Sequence, residues 1–183
     1  CKIAFPSMPI YFWNDEKGEK YYQAYFSTYP NIWHHGDYIL INNHGGIIIY
    51  GRSDATLNPG GVRIGTAEIY RVVDNFSEVS DSLVVGQEWG EDERIILFIK
   101  LAPNKTLSDK LINKIKSTIR KSCSPRHVPA KILVIDDIPY TISGKKVEIA
   151  VKKIIKGEKV KNKDALANPQ SLKLYRDIKE LQE

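Results

Sequence analysis

Cysteine, methionine and long apolar runs are scarce in this sequence. Its 183 residues hold two cysteines, Cys1 and Cys123, and a single methionine, Met8. Two cysteines, one of them terminal, make neither a disulfide framework nor a Cys-based zinc site. A reducing, cytoplasmic compartment is the expectation. No apolar stretch approaches the roughly 20 residues that span a bilayer, so no membrane span is expected. The opening Cys1-Lys2-Ile3-Ala4-Phe5-Pro6 has no apolar signal core and no initiating Met, so the chain reads as starting inside a larger protein. What is present suits a globular protein: 42% hydrophobic and 27% charged residues argue against disorder. The length fits one core domain with an extra piece, or two small domains.

The net charge of +5 conceals a division. Residues 1–100 carry 8 basic against 13 acidic side chains, and residues 101–183 carry 19 against 9. A basic second half suits a phosphorylated partner, whether nucleic acid, an anionic surface or a nucleotide; a solvated lysine-rich face explains the charge equally well.

Periodicity outlines an α+β chain. Pro9–Trp13 reads as a short aromatic strand, and Tyr21, Tyr22, Tyr25, Phe26 and Tyr29 recur at helical spacing. Tyr38–Ile41 and Ile47–Tyr50 flank a loop of Asn and Gly, a hairpin signal. Gly51, Gly60, Gly61, Gly65 and Pro59 mark residues 51–65 as a flexible junction. A helix from Thr66 follows from Ile69, Val72, Val73 and Phe76. Ser82–Val85 and Arg94–Leu101 read as strands around a turn at Gly86–Glu93. Ser108 caps a helix to about Ser122, with Leu107 and Ile112 spaced as a hydrophobic staple. Lys131–Ile135 is a third strand, and a helix with Val147, Ala150, Val151, Ile154 and Ile155 inward stops at Gly157. Asn168-Pro169 offers a cap and first-turn proline for a last helix. The fold class is α+β: a small domain with a three-stranded sheet and flanking helices, preceded by a β-rich edge of something larger. The domain boundaries expected are 1–53, 54–160 and a helical extension over 161–183.

Three clusters can carry chemistry. In Trp33-His34-His35-Gly36-Asp37, a carboxylate at a strand entry offers two acceptor oxygens to sugar hydroxyls. The two histidines point to opposite faces of a strand, so one metal is a poor destination for both. The run from Gly51 to Glu68 interleaves Arg52 and Arg63 with glycines. Glycines admit a ligand close to the backbone, and a guanidinium fork binds phosphate or hydroxyl oxygens. In Thr141-Ile142-Ser143-Gly144-Lys145, a lysine on a loop is a mobile point charge for phosphate or carboxylate. It is not a P-loop, because position 139, where that motif needs glycine, is proline.

Taken together, Gly36-Asp37, then Gly51-Arg52-Ser53-Asp54 with Val62-Arg63-Ile64 and Ala67-Glu68, then Thr141-x-Ser143-Gly144-Lys145 resembles the adenylate-forming enzymes. These comprise acyl-CoA synthetases, luciferases and the adenylation domains of peptide synthetases. Within them the likeness is closest to the acetoacetate–CoA ligase branch, through residues 33–37, 49–63, Ser124-Pro125-Arg126-His127-Val128-Pro129 and the tail Ala165–Pro169. It covers essentially the whole chain and corresponds to the C-terminal part of such enzymes.

The resemblance implies a ligase that joins an acid, acetoacetate, to CoA through an acyl-adenylate, releasing pyrophosphate and AMP. It implies that Asp37 and Arg52 hold the ribose of ATP and that Arg63 meets a phosphate. Asp54 would be a hinge, Gly60 and Gly61 would line the pantetheine tunnel, Arg126 would meet the phosphates of CoA, and Lys145 would be the adenylation lysine. Mg²⁺ would travel with ATP, with no ligands in this chain. The phosphate loop, adenine pocket and acyl pocket would belong to a missing N-terminal domain, so this chain alone would be inactive. Two departures stand out: Trp33-His34-His35 replaces the Tyr-Arg-Thr of many relatives, and Asn58 stands where many have lysine.

Rival readings are an acyl-CoA ligase for another short-chain acid and a stand-alone basic binding or regulatory module. A nucleic-acid partner is poorly supported, because Tyr140 is the only Phe, Trp or Tyr among residues 101–163 and stacking platforms are lacking.

Overall fold

Apolar side chains alternate along Leu83–Val85 and Ile95–Ile99, which sends one set to each face of a sheet. Val84, Ile95, Leu97 and Ile99 enter one core, while Leu83, Val85, Ile96 and Phe98 enter another. A sheet buried on both faces needs a cover on each side, and the rest of the chain supplies it. The computed structural model describes residues 1–160 and 162–183. They divide into two compact units, Cys1–Asp37 and Tyr38–Glu183.

The first unit gathers around Trp33. The indole stacks on Tyr25 with ring centres 3.7 Å apart and takes Phe5, Tyr21 and Phe26 on its other edges. Helix α1 (Glu19–Tyr25) presents the tyrosines. It is capped by the Asp15 carboxylate, which accepts from the N–H groups of Lys20 at 3.0 Å and Tyr21 at 2.8 Å. The strand expected at Pro9–Trp13 does not form. Its Phe12 packs edge-on against Tyr21 and Tyr25, so ring contacts rather than a ladder hold it.

Strands β1 (Asp37–Ile41), which belongs to the second unit from Tyr38 on, and β2 (Ile47–Arg52) form a two-stranded sheet. Asn42 organises the intervening turn, its Oδ1 accepting from the N–H groups of His44 and Gly46. Helix α2 (Thr66–Val73) follows, then β3 (Val79–Trp89) and β4 (Asp92–Leu101), paired antiparallel from Val79↔Leu101 to Trp89↔Asp92. The turn is only Gly90-Glu91, not the eight residues expected. Gly90 alone has positive φ, +60°, the pattern of a II′ hairpin turn. Residues 86–89 are strand because Gly86 has no side chain: the Glu93 carboxylate lies across the space a Cβ would fill.

Helix α3 (Asp109–Ser122) is as its sequence predicts: the Ser108 hydroxyl accepts from Leu111 N at 3.3 Å, and Leu111, Ile115 and Ile119 are buried. It carries the chain over to β5 (Lys131–Val134), which pairs parallel to β4, giving the order β3-β4-β5. Helices α2 and α3 cover one face. Helix α4 (Glu148–Ile155) and the C-terminal tail cover the other. The tail is not an α-helix. Pro169–Tyr175 and Lys179–Leu181 are 3₁₀ turns, and the inward residues Leu172, Tyr175, Ile178 and Leu181 recur every third position, matching three residues per turn. Among the described residues no helix is long and apolar enough to cross a membrane.

Candidate active site

The glycine-rich junction is less loose than its composition implies. Leu57 and Ile64, both buried, exchange backbone hydrogen bonds of 2.9 Å and pin the base of a short loop over residues 58–63. Gly60 at its tip has φ +57°. Its N–H donates to both oxygens of Asp92, at 2.8 and 3.0 Å, and its carbonyl accepts from Arg126 Nη1 at 3.2 Å. A Cβ at Gly60 would run into that guanidinium. The neighbouring N–H of Asn58 donates to Glu93 Oε1 at 2.7 Å, while Glu93 Oε2 pairs with Lys152 at 2.7 Å. N–H bonds from Glu93 and Gly60, with the Arg126 charge nearby, hold the Asp92 carboxyl below the usual carboxylate range. Gly61 and Arg63 are exposed on the same loop.

Arg126 is held from behind. Its N–H donates to the Ser124 hydroxyl at 3.2 Å, and that hydroxyl lies 2.8 Å from His127 Nδ1. His127 Nε2 lies 3.3 Å from Glu68 Oε2, and Glu68 Oε1 accepts from Gly65 N at 2.9 Å at the start of α2. A carboxylate only accepts, which assigns a neutral ring's proton to Nε2 and leaves Nδ1 for the serine hydroxyl. This chain ties the Arg126 turn to α2. Burial, with Glu68 beside it, pushes the Cys123 thiol up and away from thiolate chemistry.

Lys145 sits on a different support. Tyr140 and Lys146 form a bridge, and residues 141–145 close the turn between them. The Thr141 hydroxyl accepts from Lys145 N at 3.0 Å, Gly144 N donates to Thr141 O at 2.9 Å, and Gly144 takes φ +77°. The two adjacent lysines are treated oppositely. Lys146 Nζ donates to Ser82 O at 2.6 Å, pairs with Asp81 at 2.9 Å and lies 4.3 Å from the centre of the Tyr70 ring. Lys145 is exposed, and among the described residues its ammonium has no hydrogen-bond or ion-pair partner. Tyr140 also ties into the sheet, its hydroxyl donating to Asp81 Oδ2 at 2.8 Å. Tyr70, beneath Lys146, donates to Glu148 and accepts from Val84 N; burial and the Glu148 charge raise its pKa well above the ordinary value.

The anchors of these two assemblies lie at opposite ends of β3. Lys146 grips Asp81 and Ser82, whereas Asp92 follows Trp89 and the hairpin turn. The seven steps from Ser82 to Trp89 span about 23 Å.

Comparison with known proteins places this arrangement. No protein-family model matches the chain. It is 55% identical over 181 residues to an acetoacetyl-coenzyme A synthetase of Rhizobium meliloti, covering 99% of this chain and 28% of that protein. An acetoacetyl-CoA synthetase of Danio rerio is also 55% identical, over all of this chain and 27% of its own length. This chain is homologous to the C-terminal part of acetoacetyl-CoA synthetases. A solved acetoacetyl-CoA synthetase from Streptomyces lividans superposes with a TM-score of 0.89 at 41% identity, over 98% of this chain and 27% of that one. The chain thus spans little more than a quarter of the relatives it matches.

With that relationship established, the residues singled out by sequence fall into four places. Gly60, Gly61, Arg63 and Arg126 belong to the loop assembly beside Asp92. Lys145 stands on its own hairpin. Arg52 and Asp54 pair at 3.3 Å in the turn after β2, and Arg52 shares a cavity of about 470 Å³ with Thr141, Lys146, Glu148 and Leu166 at the hairpin's base. Asp37, in the first unit, lies 3.4 Å from His35 Nε2, whose Nδ1 accepts from Trp33 Nε1 at 3.1 Å. Sequence reading gave no role at the site to Asp92, to the Ser124–His127–Glu68 chain or to the Asn168 side chain. Glu68, Ser124 and His127 stand in the motifs quoted above and Asn168 reads as a helix cap, but none of their contacts is visible there.

Proposed function

We propose that this chain is the C-terminal part of an ATP-dependent acetoacetate–CoA ligase. The carboxylate of acetoacetate attacks the α-phosphorus of ATP, forming acetoacetyl-adenylate and releasing pyrophosphate. The CoA thiolate then attacks the acyl carbon and AMP leaves. Mg²⁺ arrives with ATP. The acid-binding pocket and the phosphate loop belong to the larger remainder of such an enzyme, with which this part works in the cytoplasm.

The observation that carries the reading is Lys145: an ammonium with no hydrogen-bond or ion-pair partner among the described residues, on the tip of a hairpin whose base is firmly tied. Negative charge builds at the α-phosphate as a carboxylate approaches it, and an ammonium between the two stabilises the transition state. In this reading Asp37 and Arg52 hold the ribose and Arg63 meets a phosphate. Gly60 and Gly61 line the pantetheine path, and Arg126 takes the CoA phosphates. Asp54 is the hinge between a portion ending at residue 53 and a mobile domain over 54–160, with 161–183 as its extension. The separation of the two anchor points along β3 supports such a rotation, because one rigid turn withdraws the lysine and presents the glycine loop.

The test separates the half-reactions in the full-length enzyme. Lys145→Ala is expected to slow adenylation by at least ~10²-fold. Thioester formation from preformed acetoacetyl-adenylate and CoA stays near the parent rate. Adenylation that survives the substitution, or equal collapse of both steps, overturns the assignment. Substituting other short-chain acids in the adenylation assay decides the acid.

A further inference from the structure

The hairpin that carries Lys145 is held on its outer side by the tail. Ala167 N donates to Tyr140 O at 2.9 Å and Ile142 N donates to Ala165 O at 3.0 Å, so Thr141 and Leu166 face each other as an antiparallel bridge. The arm from Tyr140 to Ile142 therefore lies between the Lys146 arm and the tail. Beyond it, Ile142, Ser143, Gly144 and Lys145 are all exposed, and the bonds of Ser143, Gly144 and Lys145 run back to Thr141, so they shape the turn without tying it to the core. Its height and direction must be set from the base.

Asn168 closes that base. Its Oδ1 accepts from Tyr140 N at 2.8 Å, and its Nδ2 donates to Asp137 Oδ2 at 2.6 Å and to Ile138 O at 2.9 Å. One side chain thus meets three of the four residues from Asp137 to Tyr140 that enter the hairpin, 28 to 31 residues from itself in sequence. Only a primary amide of this length supplies the acceptor and both donors: aspartate has no donor, alanine has neither, and glutamine is a methylene longer. The sequence offered Asn168 as a helix cap, but its side chain makes no cap bond. The tail is itself anchored in the sheet by Leu166, Leu172 and Tyr175, so Asn168 refers the hairpin to the core.

We infer that Asn168 is a positioning residue for the adenylation step, setting where the Lys145 ammonium stands. This rests on the reading that Lys145 serves adenylation. Misplacing a reacting group by about 1 Å can cost ~10²-fold in rate, and loss of three bonds at the hairpin's root allows a shift of that size.

The experiment uses the full-length enzyme with Asn168→Ala, Lys145→Ala and the double variant, each in the two half-reactions. Asn168→Ala is expected to lower kcat for adenylation by roughly 10- to 100-fold, with the KM values for ATP and acetoacetate within about twofold and the thioester step unchanged. In the Lys145→Ala background it should add nothing, because the group it positions is gone. Asn168→Asp, which keeps the shape and the acceptor but loses both donors beside the Asp137 carboxylate, serves if the alanine variant does not fold, and should show the same selective loss. Equal loss in both half-reactions, no loss in either, or a full further loss in the double variant overturns the inference while leaving Lys145 in place. Adenylation undiminished by Lys145→Ala alone overturns the Lys145 reading, and with it this one.

Discussion

Neighbouring lysines with opposite environments make a sharp comparison. Lys146→Met removes an ammonium whose side chain is 19% exposed and whose partner Asp81 is 21% exposed. The hydrogen bond from a charged group to Ser82 O is worth about 1.5–3 kcal/mol, and the Tyr70 ring contact adds roughly 0.5–1 kcal/mol. Breaking a buried pair leaves the other charge stranded, but Asp81 keeps bonds from Tyr140 at 2.8 Å and Ser82 N at 2.7 Å, which softens that loss. Methionine restores most of the apolar stem contact. The net expectation is a loss of about 2–3 kcal/mol, which for a chain of this size lowers the melting temperature by roughly 4–12 °C. Lys145→Met, at an exposed position, should stay within about 0.5 kcal/mol of the parent. Thermal melts of the purified chain followed by circular dichroism read both. A Lys145→Met variant that melts as early as Lys146→Met, or a Lys146→Met variant that melts with the parent, refutes the division of labour between the two.

Gly60→Ala puts a Cβ on a residue with φ +57° and against Arg126. The backbone strain costs about 1–2 kcal/mol, while the guanidinium, the end of a flexible side chain, moves aside. In the full-length enzyme the KM for CoA should rise more than about tenfold with adenylation intact, since the displaced group is the one proposed to meet CoA; an unchanged KM counts against the Arg126 assignment. The Asp137 carboxyl is held below the ordinary range: burial opposes this, but the bonds from Lys100 and Asn168 outweigh it. Its folded pKa is thus depressed, so its contribution is present above its ordinary pKa of 3.8 and disappears as the pH falls through the folded value. With side chains 37% and 42% exposed in the Asp137–Lys100 pair, the contribution is below about 1 kcal/mol. Urea midpoints at pH 7 and pH 3 should therefore fall less in Asp137→Asn than in the parent; identical falls refute it.

Local signals were legible in the sequence, and contacts across the chain were not. Helix α3 announces itself through Ser108, the staple and the Leu111–Ile115–Ile119 spacing, because capping and amphipathicity act within a few residues. Strand β4 likewise reads directly from its apolar run. The sequence reading ends strand β3 at Val85, with Gly86–Glu93 as a turn. What keeps it extended is Glu93 lying over Gly86 and Arg94 stacking 3.5 Å from the Trp89 ring, both from the partner strand. The Asn-Pro start of the tail predicts a helix without giving its type, and the period of three in its inward residues is what makes it 3₁₀. At the site, the glycine–arginine run and the lysine turn were visible as motifs. Asp92, 32 residues from Gly60, leaves no local mark, and the mark Asn168 leaves is that of a cap and not of its bond to Tyr140, 28 residues away, because each acts through a fold that must exist first.

The tail's place on the sheet also orders the events of biosynthesis. One face of the sheet is closed by residues up to Ile132, whereas the other waits for Leu166, Leu172, Tyr175 and Leu181. Arg94, in the central strand, finds its carbonyl partner at Leu181, 87 residues later. A ribosome moving at roughly 5–20 residues per second therefore holds a half-covered sheet for several seconds, with Leu83, Val85, Ile96 and Phe98 open to other nascent chains. A premature stop anywhere before Leu166 makes it permanent, yielding a sticky polypeptide rather than a merely shortened one.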